Sequence, residues 1–591
     1  MTAVSSPSYH LALTSRSEHL FTVTLHIPAC EQQRTVLTLP AWIPGSYMVR
    51  DFARNIISLQ ARAGNNALTV TKQDKQTWSF SAPGQAVTVT YTIFAFDLSV
   101  RSAYINDEFA FCNGTSVFLQ VSGFEQQPHQ VTIENPGLDN WITETTMPVS
   151  GSSYQCANYA ELIDHPVFMG KAHTQSFVVD GVEFVMLLSG EAPVDIDRIC
   201  EDLVPICQHH LDLFEKPYPV ERYVFMTMLA ENGFGGLEHR SSTALLYPRM
   251  DLPLPGDSKT RTDGYTTFLS LCSHELFHTW HVKRIKPDVM VNPDMGAEVF
   301  TNQLWIYEGF TSFYDDLTLA RAGTITNQKY LEIVGQNLTR LMQNEGRKLQ
   351  GAAESSFDAW TRFYKQDANS VNHIVSYYTK GGIIAMGLDL LLRRESGEQY
   401  NLDHLMRLLW QHYGKDESGT PDDVIHHLCQ THFDIDVSAY LEKVVYGTDD
   451  VDLTGWLDDI GVALHTRTKR NMADKGGTAP VSQPKHAFGA NTKAATPGLS
   501  VLQVISGTPA QRAGLQIGDI LLAIDGLIAS ESHFQRLLDA QDPARGTVPV
   551  SVIRDGRLLT LSMPVEPAVQ DACYFTITDE KKFNSWLGKA E

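Results

Sequence analysis

The sequence predicts an α+β protein built from several domains, and three observations support this fold class. The chain has 591 residues, which suggests about three or four domains of ~150 residues each. Residues 1–170 alternate between apolar and polar side chains, the period of β-strands, whereas residues 325–463 follow the helical period. A stretch over 466–484 is rich in Thr, Lys, Gly, Ala, Pro and Ser, has no apolar period, and is typical of a linker.

The first domain, residues 1–170, is predicted to be a β-sandwich. Phe21–Ile27 and Ala86–Ile93 are two of its alternating strands, and turn dipeptides such as Pro83-Gly84 separate such runs. Within it, residues 39–51 combine Pro, Gly and aromatic side chains in the run W-I-P-G-S-Y. We interpret that run as a rigid loop that packs against one sheet.

Composition excludes some partners. The formal net charge is -22, which argues against nucleic acid and anionic membranes, because both attract basic surfaces. We predict no secretory signal in Met1–Ser17, and the sequence has no apolar run of about 18 residues, so no membrane span is expected. The cysteines lack any C-x-x-C pair, which predicts free buried thiols and a reducing, cytoplasmic location. They are Cys30, Cys112, Cys156, Cys200, Cys207, Cys272, Cys429 and Cys573.

A second domain, residues 171–324, mixes strands with helices. Residues 325–465 are predicted to be its helical extension. In that extension a helix is expected to begin at Thr420, with Thr420 as the capping residue and Pro421 at the first helical position. The helices predicted in the second domain cover 194–214, Asp263–Lys283 and Gln303–Ala322.

The second of these helices carries the run His274-Glu275-Leu276-Phe277-His278. Positions four apart lie on one helix face, so His274 and His278 can converge on one zinc ion. The alternative is a pair of hydrogen-bonded core histidines. Apolar neighbours make the helix look buried, and buried titratable groups are costly unless they are paired or bind a metal. Those neighbours are Phe268, Leu269, Leu271, Cys272, Leu276, Phe277 and Trp280.

A hydrolytic zinc site needs a third protein ligand, and Glu308 is the best candidate. It is a carboxylate in an otherwise apolar stretch, and an antiparallel neighbouring helix could bring it to the His pair. Its alternative role is an exposed helical acid. Asp315 lies on the same helical face and could accept a ligand His N–H, or could simply be exposed.

Glu275 would be the general base, taking a proton from a water held by the metal. Attack on a carbonyl creates an oxyanion, so a hydrogen-bond donor is needed opposite the metal. Tyr378 is a candidate donor, and from the residues alone its neighbour Tyr377 is equally good. A packed aromatic pair without a catalytic role is the alternative.

A glycine-rich turn could bind the substrate. Gly235 and Gly236 follow a predicted strand, and glycines let a substrate backbone approach closely. Glu238 follows them and could pair with a substrate ammonium. The alternative is a β-turn with a solvated acid.

Beyond the linker, residues 485–570 form a compact unit of short strands and helices, and residues 571–591 are predicted to be a C-terminal tail. Val501–Ile505 is one of the strands, and Ser532–Ala540 is one of the helices.

These motifs resemble known families. H-E-x-x-H followed by E-G-F-T is similar to gluzincin metallopeptidases. Gly235–His239 resembles the G-x-M-E-N element of large zinc aminopeptidases, whose Glu binds the free α-amino group; Leu237 and His239 depart from it. Tyr378–Gly381 resembles their Y-x-K-G element, which favours Tyr378 as the oxyanion donor.

Nearly the whole chain is most similar to the glycyl aminopeptidase family. The W-I-P-G-S-Y-x-x-R-D run at 42–51 and the H-E-x-x-H-x-W-x-V-K-R-I-K-P run at 274–287 resemble that family. The resemblance implies an N-terminal β-domain, a thermolysin-like zinc catalytic domain and a C-terminal PDZ domain. It also implies removal of N-terminal Gly or Ala from peptides.

The PDZ resemblance implies a second peptide site. Gly498, Leu499 and Ser500 stand where a carboxylate-binding loop would lie, and a C-terminal peptide would add as a strand beside 499–505. The sequence thus predicts a zinc aminopeptidase with one zinc ion per chain and peptide substrates with a free N-terminus. The rival interpretations are a zinc endopeptidase and a PDZ-mediated binding protein with a vestigial zinc fold.

Overall fold

A computed structural model describes residues 6–134, 136–471 and 473–589. The ends of the predicted β-domain and C-terminal tail, residues 1–5 and 590–591, lie outside the described residues, as does residue 472 of the predicted linker. The contacts divide the chain into two units: residues 1–299 with 409–420, and residues 300–408 with 421–591. Within the described ranges, every helix is too short or too polar to cross a bilayer. The eight cysteines are free, as predicted.

The first unit begins with a β-rich domain, which confirms the prediction from alternation. Phe21, Val23 and Leu25 are fully buried, and the residues between them are partly exposed. Three sheets surround a shared core, in the orders β14-β15-β12-β1-β2-β8-β4-β5, β13-β16-β10-β9 and β11-β3-β7-β6. The strands are β1 Ser8–Ser15, β2 Leu20–Ile27, β3 Thr35–Thr38, β4 Ile56–Ala63, β5 Asn66–Leu68, β6 Thr71–Lys72, β7 Thr77–Phe80, β8 Val87–Phe94, β9 Ala103–Ile105, β10 Phe109–Cys112, β11 Gln120–Val121, β12 His129–Ile133, β13 Ile142–Glu144, β14 Val149–Ser150, β15 Ser153–Cys156 and β16 Val167–Gly170.

A second sheet region of this unit carries the H-E-x-x-H helix. Its five strands have the order β17-β18-β19-β21-β20, so β20 lies at an edge. These strands are β17 Ala172–Val179, β18 Val182–Ser189, β19 Arg222–Ala230, β20 Gly235–Glu238 and β21 Ser242–Pro248. The α-helices of the unit are α1 Gly114–Val117, α2 Tyr159–Asp164, α3 Ile196–Phe214 and α4 Asp263–Phe277, and its other helical turns are Phe52–Asn55, Arg249–Asp251, Asp288–Met290 and Trp410–Gly414.

Helix α4 begins as predicted but ends six residues earlier. The Thr262 side chain caps its first turn by accepting from the backbone N–H of Tyr265. Beyond Phe277 the chain turns, and the φ of 125° at Val282 is one that no helix accommodates. The predicted continuation to Lys283 is therefore wrong, and His278 lies at the helix C-terminus.

His210 supports α4 from α3. Its Nε2 lies 2.8 Å from the hydroxyl of Ser273, and its ring is fully buried. Burial lowers the pKa of His210 to about 3. A buried neutral His must take up a proton when the chain unfolds below its ordinary pKa, so it contributes stability that is complete above pH 6.5 and is lost as the pH falls toward 3.

We therefore expect the unfolding temperature to fall between pH 7.5 and 5, with His210 contributing about 1.4 kcal/mol per pH unit below 6.5. Calorimetry of the parent and of His210→Leu tests this, with exposed His173→Gln as the control. The variant should lose part of the pH dependence, and the control should keep it. An identical pH dependence in the parent and His210→Leu would contradict the assignment.

The second unit begins with the helical part. Where one helix was predicted over Gln303–Ala322, the chain forms two, with Glu308 between them. The break falls where two helices approach closely, since a Cβ at Gly309 would lie 2.5 Å from Cα of Gly381. The α-helices of this part are α5 Leu304–Tyr307, α6 Gly309–Arg321, α7 Asn327–Met342, α8 Ala352–Phe357, α9 Tyr377–Ser396, α10 Leu402–Leu409, α11 Val424–Leu428, α12 Ser438–Leu441 and α13 Thr454–Leu457. Its other helical segments are Glu345–Lys348, Asp358–Trp360, Phe363–Lys365, Ser370–Asn372, Cys429–Phe433, Glu442–Tyr446 and Asp458–Ile460.

The predicted helix start at Thr420 is wrong. The Thr420 hydroxyl donates to the backbone carbonyl of Lys286, 3.2 Å away, and is thus committed to the first unit. Helix α11 begins at Val424, after Asp423.

The rest of the second unit contains a six-stranded sheet with its own apolar core, in the order β23-β24-β25-β27-β28 with β26 paired to β25. Part of the predicted linker is packed, because Arg467 and Asp474 form an ion pair of which each side chain is only 1% exposed. The strands are β22 Val462–Arg467, β23 Ala490–Ala494, β24 Leu499–Val504, β25 Ile520–Ile524, β26 Leu527–Ile528, β27 Thr547–Arg554, β28 Arg557–Pro564 and β29 Ala572–Ile577. The helices are α14 Pro509–Arg512, α15 Phe534–Asp539, the turn Pro543–Arg545 and α16 Glu580–Trp586.

The segment predicted as a C-terminal tail forms strand β29 and helix α16. Strand β29 pairs along its whole length with β22, and the indole of Trp586 in α16 donates to the buried carboxylate of Asp389, 2.7 Å away. The segment predicted as a tail is thus part of the packing of the helical region.

Candidate active site

His274 and His278 lie on one face at the C-terminal end of α4, as the spacing predicts. Their ring centroids are 4.7 Å apart, with the rings nearly perpendicular. The Nδ1 of His278 lies 2.7 Å from the carbonyl oxygen of His281. Because a carbonyl only accepts, Nδ1 carries the proton and Nε2 keeps its lone pair for a ligand.

Glu275 points from α4 toward the edge strand β20. Its side chain is buried, and a Cβ built at Gly236 would lie 2.9 Å from its Cγ and closer still to its carboxylate. The hydroxyl of Thr243, on β21, lies 3.4 Å from Oε2 of Glu275. Gly236 is therefore required for the close approach of strand and helix, whereas a Cβ at Gly235 would meet only ordinary contacts at 3.5 Å or more.

Glu308, Tyr378 and Tyr364 belong to the helical part. Glu308 is 2% exposed, at the break between α5 and α6. Burial, and then the charge of Glu308, raise the pKa of Tyr378 well above its ordinary value. The hydroxyl of Tyr364 lies 3.2 Å from that of Tyr378. The rings of Tyr377 and Tyr378 stack on each other with centroids 4.8 Å apart, so the preference for Tyr378 rests on the effect of Glu308 on its hydroxyl.

Among the part of the chain that the structure describes, one group of His, Cys, Asp and Glu side chains could hold a metal ion: His274, His278 and Glu308. Their ligand atoms all lie within 4.8 Å of one another. Ligand atoms about 2.1 Å from a tetrahedral zinc ion lie about 3.4 Å apart, so small side-chain rotations suffice. Two imidazoles and a carboxylate are also a donor set that suits zinc, and the residues fit the ion. Asp315 is half-buried on α6, and its role beside the ligands stays a prediction.

Glu238 ends strand β20 on the same face as Gly236, since residues two apart on a strand share a face. Its side chain is 4% exposed, and Oε1 has no hydrogen-bond partner in the described structure. A buried acceptor without a donor is costly, which marks this oxygen as one that a ligand could satisfy. The Glu238 carboxylate and the Glu275 side chain thus lie on the same side of strand β20.

Sequence reasoning missed the ion pairs formed by Asp164. Asp164 lies 2.6 Å from Nζ of Lys283 and 3.7 Å from Nδ1 of His239. Burial would raise the pKa of Asp164, but the Lys283 charge and the neighbouring His239 ring hold it well below its ordinary value. No local signal marks this set, because its members come from separate elements.

A second ion-pair set lies in the same unit. The Arg240 guanidinium donates to Glu417 at 2.9 Å, and Lys286 donates to it at 3.1 Å. Against the effect of burial, these two cations lower the pKa of Glu417 to about 2. Both sets border a cavity of about 660 Å³, which is also lined by Trp42, Gly45, Tyr47 and Glu238.

The PDZ-loop prediction for Gly498, Leu499 and Ser500 is wrong. These residues form the turn and start of a hairpin, and Ser500 pairs with both Lys493 and Ile520. Strand β24 therefore has neighbours on both sides at this point and cannot take a peptide there. In the part of the chain that the structure describes, β23 is the outermost strand at this end of the sheet, and it lies beside a cavity of about 490 Å³ lined by Phe488, Gly489, Ala490, Phe534 and Gln535 among others.

Three family models match the chain. They are the Peptidase M61 N-terminal domain over residues 8–171, the M61 glycyl aminopeptidase over 267–384 and the PDZ domain over 459–565. The comparison with curated proteins gives no match.

Solved structures resemble the chain over most of its length. One is the aminopeptidase N family protein from Idiomarina loihiensis, with 38% sequence identity and a TM-score of 0.95, covering 98% of this chain and 100% of that chain. Another is the M1 zinc metallopeptidase from Deinococcus radiodurans, with 13% identity and a TM-score of 0.42, covering 72% of this chain and 89% of that chain.

The family models and the relative that is 38% identical make this protein a metallo-aminopeptidase, a hydrolase with a PDZ domain. Within that class, the chain belongs to the M61 glycyl aminopeptidase family.

Proposed function

We propose that the chain is a zinc aminopeptidase that removes N-terminal residues, Gly and Ala foremost, from peptides with a free N-terminus. The observation that carries this proposal is the buried, unpartnered carboxylate oxygen of Glu238 on the same strand face as Gly236, against which Glu275 packs. A carboxylate so placed pairs with an α-ammonium and sets how far the peptide enters. The Gly and Ala preference rests on the family alone.

His274, His278 and Glu308 would hold one zinc ion per chain. When bound, zinc polarises the scissile carbonyl and makes water more acidic. The two imidazoles and one carboxylate leave a position open for substrate or water, as in catalytic zinc sites.

Residues of the chain itself transfer the proton and stabilise the negative charge that develops on the substrate. Glu275 accepts a proton from the attacking water and passes it to the departing amine. Tyr378 donates a hydrogen bond to the developing oxyanion, and its raised pKa keeps the hydroxyl protonated for that purpose. Gly235 and Gly236 leave the edge of β20 open to an extended substrate backbone.

The proposal is tested by the free-amine requirement. Glu238→Ala is expected to lower kcat/KM on a Gly-linked chromogenic amide by about 30-fold to several thousand-fold, equivalent to about 2–5 kcal/mol, because a buried charge pair is lost. Zinc content should stay unchanged. The acetyl-Gly amide should be a poor substrate for the parent, and the exposed Glu231→Ala is the matched control. Equal parental rates on the free and acetylated amides would overturn the aminopeptidase proposal in favour of an endopeptidase.

The PDZ domain supports a second peptide site at the open edge of β23. We place a C-terminal peptide there, adding as a strand to β23 with its side chains toward Phe534 of α15. This replaces the edge predicted from the sequence at 499–505.

A further inference from the structure

The W-I-P-G-S-Y run was interpreted from the sequence only as a packing loop. In the structure Trp42, Ile43, Ser46 and Tyr47 of this run are buried, and the Trp42 indole donates to the carbonyl of Asp294, 3.0 Å away. The backbone N–H of Ala41 donates to the carbonyl of Met295 at 2.7 Å. These two hydrogen bonds therefore hold the loop in place, one through the backbone at its start and one through the Trp42 side chain.

At the tip of this loop, Gly45 touches Glu238. A Cβ built at Gly45 would lie 2.6 Å from both Cδ and Oε2 of Glu238, and nearer still to Oε1. Its three nearest atoms all belong to that carboxylate. Gly45 also has a φ of 93°, which L-residues rarely adopt. Both residues line the cavity of about 660 Å³.

The contact has a consequence for binding. Glu238 has no hydrogen-bond partner at Oε1 and no cation bonded to it in the described structure, so neighbouring atoms must fix its position. The backbone of Gly45 covers the Glu238 carboxylate on one side and limits where it can move. A carboxylate held in one position would bind an ammonium at a fixed distance from the scissile bond, and catalysis depends on such positioning.

We propose that Gly45 is a positioning residue for the amine-binding carboxylate, and that the loop 42–47 of the β-domain is thereby part of the substrate site. This inference rests on the proposed role of Glu238. A glycine at position 45 is then needed for substrate recognition as well as for the packing of the loop.

The test is Gly45→Ala. The added methyl group displaces the Glu238 carboxylate, so kcat/KM on the Gly-linked amide should fall by about 30-fold or more, the low end for disrupting a buried charge pair. The zinc content should not change. Gly181→Ala is the matched control, because Gly181 has a φ of 91° and nothing within 4 Å of its Cβ position. It should carry the same backbone strain but keep parental kinetics.

A double variant separates positioning from folding. In the Glu238→Ala background the atoms that meet the new methyl group are gone, so Gly45→Ala should change kcat/KM less than about twofold. Any loss of stability from the strained φ should appear in both backgrounds. The inference is overturned if Gly45→Ala behaves like Gly181→Ala, or if its kinetic effect persists undiminished without the Glu238 carboxylate.

Failure of the proposed function would look different. In that case the parent itself would not distinguish the free from the acetylated amide. A parent that keeps this preference while Gly45→Ala retains parental kinetics would overturn the positioning role alone.

Discussion

Glu275→Gln is expected to abolish most turnover while keeping the metal. The amide preserves the shape of the side chain against Gly236 but cannot accept the proton of the attacking water. General-base catalysis contributes about 10²–10⁴-fold, so kcat on the Gly-linked amide should fall by that order. Elemental analysis of the same sample should give about one zinc per chain, since Glu275 is not among the proposed ligands.

The control for Glu275→Gln is the same substitution at Glu201, an exposed acid on α3. It should leave both kcat and zinc content at parental values. Near-parental kcat in zinc-loaded Glu275→Gln would assign the base to another group.

The second large effect concerns the metal. Glu308→Ala is expected to lose most bound zinc and, with it, activity, because two imidazoles alone hold the ion less tightly than a three-ligand site. Glu308 is 2% exposed, so Glu308→Gln, which keeps the volume, separates loss of a ligand from loss of packing. Both variants should show low zinc occupancy by elemental analysis after dialysis.

Asp316→Ala, which removes a half-buried acid on α6, is the control and should keep its zinc. Full zinc occupancy in both Glu308 variants would exclude Glu308 as a ligand and would leave the third position of the site to a different group.

Local spacing was enough to predict the centre of the site. The i, i+4 arrangement of His274 and His278 requires only a helix, and α4 provides it. Glu308 followed from being a lone carboxylate among apolar residues. The end of α4 could not be predicted, because residues 278–283 contain neither the Gly nor the Pro that usually marks a helix end.

Contacts between segments that are distant in the sequence could not be predicted. Nothing near Gly45 in the sequence points to Glu238, and the ion pair of Asp164 with Lys283 joins two separate elements. The PDZ loop was misplaced for a related reason. A strand's neighbours decide whether its edge is free, and the pairing of β24 on both sides is not encoded in Gly498–Ser500 themselves.

The pairing of β22 with β29 makes the PDZ domain an insertion. Arg467 and Ala572 are directly opposite each other, so the chain leaves the helical part and returns to it at neighbouring positions. A domain whose two ends are adjacent can be removed or exchanged without breaking the host's own connectivity. Removal of residues 485–570 should therefore leave in place both the pairing of β22 with β29 and the hydrogen bond of Trp586 to Asp389.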